Sequence, residues 1–189
     1  MVIDLPGDLA FDRIPEKATL SLARLEAEGI DASTISARVT PGPWPILDVN
    51  TTLRLLDEPI SAQGRTDLRA GSAGVTLAGS VSPRVLDVIS RRVGVDVRRF
   101  YSFEALTVES AEARFGPGWA FERLKARVEV PRMDSYGVIM EDGRAVVELE
   151  PGRFRAPEAY ARVGENFARG SYEQDFRTRD FRFLLEGQL

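Results

Sequence analysis

The sequence predicts a mainly β protein: an antiparallel meander forming a curved open sheet or groove, with a β-sandwich as the alternative and one or two short helices. Three observations lead there. Apolar and polar residues alternate with period two along most of the chain. Gly, Pro and Asp turn signals separate these segments at the roughly 8–12-residue spacing of all-β folds. Helical periodicity is clear only once, directly after a strand.

Residues 1–17, broken by Pro6, Gly7 and Pro15, predict a loop or edge extension. From Ala18, Leu20 and Leu22 alternate and Leu25 changes parity, as a bulged strand would. A short strand follows with Ile35, Ala37 and Val39 on one side. The prolines at 41, 43 and 45 predict a turn or extended corner, with Trp44 packed over the sheet end.

The centre of the chain runs from Ile46 to Phe100. Leu47, Val49, Thr51, Leu53 and Leu55 oppose Asp48, Asn50, Thr52 and Arg54. Ile60, Ala62, Gly64, Thr66 and Leu68 oppose Ser61, Gln63, Arg65 and Asp67, and then Ala73, Val75, Leu77, Gly79 and Val81 oppose Thr76, Ala78 and Ser80. The connections Asp57-Glu58-Pro59 and Gly71-Ser72 are too short for a parallel crossover, so these strands pair antiparallel.

Ser82-Pro83 predicts a helix start, with a capping hydroxyl and proline at the first helical position. Val85, Leu86, Ile89 and Val93 mark its apolar face, Arg91 and Arg92 its wet face, and Gly94 its end. Residues 95–103 give no clean assignment. Leu106, Val108, Ala111 and Ala113 mark a strand, Phe115-Gly116-Pro117-Gly118 a turn, and Leu124, Ala126, Val128 and Val130 another strand. Glu141-Asp142-Gly143 predicts a tight hairpin turn joining Tyr136, Val138 and Met140 to Ala145, Val147 and Leu149. A short helix is expected over 156–170, and one bulged strand carrying Phe176, Thr178, Phe181, Phe183 and Leu185 closes the chain.

Composition excludes several function classes. With 189 residues, 43% of them apolar, the chain can bury a substantial core, and it reads as a single β-rich module over 1–189 with a weak sub-boundary near 94–105. Net charge is −4 with no long run of one sign, which argues against nucleic acid as a partner. Lys17 and Lys125 are the only lysines among 25 basic residues, a bias that reads as genomic base composition. There is no cysteine and no histidine, so disulfides, thiolate nucleophiles and Ser-His-Asp chemistry are impossible. The N-terminus has acids where a signal peptide needs basic residues, and no stretch approaches the ~20 apolar residues that span a bilayer. The chain therefore reads as soluble, and its end at Glu-Gly-Gln-Leu inside strand pattern predicts a fragment of a longer, repetitive protein.

The chemistry-bearing candidates all have plainer readings. Glycines at 71–74 and 115–118 lack the Gly-Lys-Ser/Thr of a phosphate loop and read as turns. Asp175 with Asp180, or Glu141 with Asp142, are surface carboxylates, and Asn50-Thr51-Thr52 is a chance glycosylation match within a strand. Arg91, Arg92, Arg98 and Arg99 cluster at a helix end, where cations sit favourably; phosphate head groups are the functional alternative. No catalytic residue, metal ligand or cofactor is expected, and no enzyme activity. A carboxylate-based hydrolase stays formally open.

Many one-faced strands and one helix leave apolar surface to cover. Either the sheet folds onto itself, or it stays open and its apolar face becomes a groove. Strand parity puts Leu53, Leu55, Val75, Leu77, Leu124, Val128, Val138 and Val147 on the inner face in either case. Physical chemistry alone favours closure.

The segment GVTLAGSVSPRVLDVI, in which an alternating strand passes straight into a short helix, is followed by an alternating strand holding EARFGPGW. Together with the closing GENFARGSYEQDFRTRDFRFLLEGQL, this resembles the repeated β modules of AsmA-like and TamB-like envelope proteins of Gram-negative bacteria, over about residues 46–189. The resemblance implies an open, apolar β groove conducting phospholipids between membranes, in a periplasmic protein anchored in the inner membrane by an N-terminal helix that this sequence lacks. It favours the open groove. The implied partners are phospholipid acyl chains and neighbouring β modules of the same chain; the competing reading is a structural or protein-interaction sandwich with a closed core.

Overall fold

The computed structural model describes residues 18–27, 30–93, 102–135 and 137–188. Eleven strands lie side by side in chain order in one antiparallel sheet: β1 (Ala18–Ala27), β2 (Ile30–Pro41), β3 (Ile46–Leu55), β4 (Glu58–Asp67), β5 (Ser72–Val81), β7 (Leu106–Gly116), β8 (Ala120–Ser135), β9 (Val138–Glu150), β10 (Arg153–Val163), β11 (Asn166–Asp175) and β12 (Asp180–Gln188). A two-residue strand, β6 (Ser102–Phe103), pairs with the end of β8. Among the described residues one α-helix, α1 (Pro83–Val93), lies between β5 and β7 in sequence, and a single 3-10 turn spans Pro117–Trp119. The sheet does not close. Strands β1 and β12 are its two ends and, among the described residues, no second sheet faces it, so the expected sandwich alternative is not what forms.

The meander follows from its turns. Leu56 and Asp57 both take positive φ, 47° and 72°, the conformation of a two-residue hairpin loop whose twist matches the flanking strands. The turn thus sits one residue earlier than Asp57-Glu58-Pro59, and Pro59 becomes the second residue of β4. Pro151-Gly152, with Gly152 at φ 71°, joins β9 to β10.

Four expectations fail. The Glu141-Asp142-Gly143 hairpin does not exist, because β9 runs through these residues in unbroken register with β8. The chain turns instead at Gly137, whose N–H the Asp134 carboxylate accepts at 2.8 Å. The helix expected over 156–170 is instead the hairpin β10–β11, turning at Gly164. Alanines there align across the strands, Ala161 opposite Ala168, and both strands find ladder partners on either side, which a helix would forfeit. The closing segment is two strands, β11 and β12, because the Asp175 carboxylate accepts the Arg177 and Thr178 N–H groups and folds a turn. The parity change expected in β1 belongs with β2, where the register to β3 slips between Ser33 and Ser36 around Thr34, at φ 52°.

Helix α1 starts where the sequence indicates, but not by the expected cap. The Ser82 hydroxyl makes no hydrogen bond, and the Ser82 backbone carbonyl accepts the Leu86 N–H at 3.1 Å. Gly94 lies outside the described residues. A second bulge, between Leu77 and Gly79 opposite β7, lets the chain enter the helix over the sheet. Gly79 stands there at φ 148°, and a Cβ would run into the Pro59 carbonyl oxygen and, at 2.9 Å, the Ile60 Cα.

Candidate apolar binding face

Register carries the inner residues into rows across the sheet. Val49, Gly64, Val75, Ala113, Leu124, Leu149 and Phe154 stand opposite one another in turn. So do Thr51, Ala62, Leu77, Ala111, Ala126 and Val147, and likewise Leu53, Ile60, Gly79, Val108, Val128 and Ala145. Residues opposite each other in a ladder share a face, so these rows are one continuous apolar surface.

Helix α1 covers one end of it. Val85, 2% exposed, packs with Val81, Leu106, Val108, Ala111, Ala126 and Val128, and Leu55, Leu77, Leu124 and Val147 adjoin this cluster. A second cluster of Leu149, Phe154 and Ala156 is reached by Leu86 of the same helix. The rest of the face stays half-exposed: Val49, Leu53 and Val75 are only partly covered, and so are Leu77, Leu124 and Val147 where they adjoin the cluster under α1. Of the inner residues picked from parity, all but Val138 meet on this face. Val138 is 46% exposed and, by the even alternation of β9, stands on the opposite side from Val147. Sequence reasoning missed Phe154, Ala156 and Ala161, which fell in or beside the supposed helix; the alternation of Phe154 with Ala156 was the available signal.

The opposite face is charged. Glu112, Lys125, Glu148, Arg155, Glu173 and Arg182 lie in register on six successive strands and alternate in sign throughout. Lys125 reaches Glu148 at 3.2 Å and Arg155 reaches it at 3.3 Å. Each such exposed pair is worth little alone, but a misregistered strand would set like charges opposite each other. The Arg65 guanidinium holds the Asp48 carboxyl below its ordinary range through hydrogen bonds of 2.7 and 3.1 Å. A shallow hollow of about 460 Å³ on this side is lined by Arg38, Asp48, Asn50, Gln63 and Thr76, a lining suited to water rather than to hydrocarbon.

Three of the four carboxylate candidates are engaged in holding the fold. Glu141 and Asp142 both bind Arg162, at 2.7 and 3.0 Å. Asp175 is held well below the usual carboxylate range, first by its hydrogen bond from the Arg177 side chain and then by backbone N–H groups of the turn. Arg91 is exposed on α1; the side chain of Arg92, and Arg98 and Arg99, lie outside the described residues. Trp44 is 48% exposed, so it covers the sheet end only in part. Among the described residues, no helix is long and apolar enough to cross a membrane.

Neither models of protein families, nor curated proteins, nor solved structures match this chain.

Proposed function

We propose that this chain is a non-enzymatic module whose apolar sheet face holds lipid acyl chains. One observation carries the reading: residues on at least six neighbouring strands form a single apolar face of an open sheet, and α1 shields only one end of it. A face of this kind, left half-exposed across several strands, fits an apolar ligand better than water. Each methylene buried against it contributes about 0.8 kcal/mol, so several together hold a chain without any specific head-group contact. The resemblance to AsmA-like and TamB-like envelope proteins extends the proposal to phospholipid passage along the sheet, to neighbouring β modules as partners, and to the periplasm of a Gram-negative bacterium as its place.

Leu77, in the middle of the face, and Thr76, exposed on the opposite one, allow a paired test. The purified chain is incubated with phosphatidylethanolamine and phosphatidylglycerol, and bound lipid is read by native mass spectrometry, with circular dichroism confirming the β fold. Leu77→Glu is expected to lose lipid at least tenfold while Thr76→Glu keeps it. Equal binding by the two variants, or no lipid on the wild-type chain, would sink the proposal. Should Leu77→Glu unfold, Val49→Glu, outside the clusters under α1, replaces it.

A further inference from the structure

The outer edge of β12, which has no strand partner among the described residues, departs from the rest of the sheet. Phe181, Phe183 and Leu185 continue the apolar face, opposite Gln174, Tyr172 and Gly170 of β11, yet they are 61%, 68% and 67% exposed. Leu184 is 60% exposed on the charged face, flanked there by Arg182 and Glu186. Natural edge strands are guarded by charge, proline or bulges; this one has no proline and no bulge in its pairing to β11, and it exposes apolar side chains on both faces, Phe181, Phe183 and Leu185 on one and Leu184 between Arg182 and Glu186 on the other.

Its backbone is turned to receive a strand. The Leu184 carbonyl oxygen is the atom nearest the Cβ position of Gly170, so Leu184 directs its polar groups at β11. Polar groups alternate along a strand, and those of Phe181, Phe183, Leu185 and Gly187 therefore face outward, with no partner among the described residues.

We infer that β12 pairs antiparallel with β12 of a second copy of this chain, about a two-fold axis through Leu184. Charge and shape choose this register over its neighbours. Self-pairing about a two-fold axis normal to the sheet keeps both apolar faces on one side, so the axis falls on a single residue. On Arg182 the axis would oppose Arg182 to itself; on Phe183 it would oppose Asp180 to Glu186; on Leu185 it would oppose Leu184 to Glu186 and leave Arg182 opposite the uncharged Gln188. On Leu184 it sets Arg182 opposite Glu186 of the second copy, twice, Phe183 opposite Leu185, and Phe181 over Gly187. The sign-alternating row that ends on Arg182 then continues through the second copy's Glu186 and its partner Arg169, 3.7 Å from Glu186 within each copy. Leu184 meets its counterpart on the axis, which accounts for a leucine on the charged face. The apolar face becomes continuous across both copies.

Cysteine chemistry reads the register directly, because the chain has no cysteine of its own. Residues at a non-hydrogen-bonded antiparallel position have Cα atoms ~4.5 Å apart, within disulfide reach. Leu184→Cys should therefore give a disulfide-linked dimer on mild oxidation. Arg182→Cys, displaced from its counterpart by ~13 Å along the strand, should not. Sedimentation tests the charges. Wild type should approach twice the monomer mass at high concentration, Arg182→Glu and Glu186→Arg should each stay monomeric, and an equimolar mixture of the two should dimerise, since it restores both opposite-charge pairs. That rescue also shows that the variants are folded. A wild-type chain that stays monomeric at high concentration, cross-linking through Arg182→Cys, or single charge variants that dimerise as well as wild type would each overturn the proposal. The first of these outcomes would leave the edge to a different partner strand.

Discussion

Two glycines of β5 show how far a single residue's surroundings decide its role. Gly79 sits at φ 148° with the Pro59 carbonyl against its Cβ position, whereas Gly74 has nothing within 4 Å of its own. Gly79→Ala should cost roughly 1–3 kcal/mol, since neither the backbone conformation nor the neighbouring strand can yield cheaply. Gly74→Ala should be neutral or stabilising by up to about 1 kcal/mol, through the lowered entropy of the unfolded chain. Urea midpoints of the two variants check the opposite signs. If both destabilise equally, the bulge at Gly79 is not what places the chain over the sheet. Leu56 makes a related point: a leucine at φ 47° is tolerated because β3 and β4 pair in full register on either side of the turn.

At the scale of elements, α1 is the one α-helix among the described residues, and it is held mainly by its apolar side. Val85 is its most buried residue among those described, wedged among Val81, Leu106 and Val108. Val85→Ala removes two methyl groups' worth of buried surface and leaves a void, a loss of about 2 kcal/mol. The ladders of β5 and β7 do not depend on this contact. Helical ellipticity should therefore fall at lower urea than the β signal in the variant, while the wild-type chain loses both closer together. Coincident transitions in the variant would show that α1 and the sheet are one cooperative unit. The short hairpin β11–β12 rests on different physics: Asp175 folds its turn with hydrogen bonds, and little apolar surface is buried along β12.

The whole molecule is a one-layer array in which each strand touches chiefly its neighbours in sequence. Such arrays behave as nearly one-dimensional systems whose ends open before their middle. Native-state hydrogen exchange should find β7, β8 and β9 most protected, under the helix and between paired neighbours, with protection falling towards β12. Uniform protection would mean that the sheet opens only as a unit. Much of this architecture was legible beforehand, because period two is a local property: Leu53, Val75, Leu77, Leu124, Val128 and Val147 could be assigned to one face from their positions alone. Sequence also determined the antiparallel pairing of the central strands joined by tight turns, since connections this short allow nothing else, but not the pairing of β5 with β7, whose connection carries α1. Where local signals were ambiguous they misled. Asp142-Gly143 has the composition of a hairpin turn, but the pairing of β8 with β9 outweighs it, and Ala156, Ala159 and Ala161 favour helix until strands stand on both sides of them. Whether the sheet closes was beyond the sequence, because the same inward residues would serve a sandwich or an open face. Only the tertiary structure decided that, through long-range pairing no local pattern encodes: β1 and β12 stand at opposite ends of the strand order, and α1 packs on only part of the apolar face.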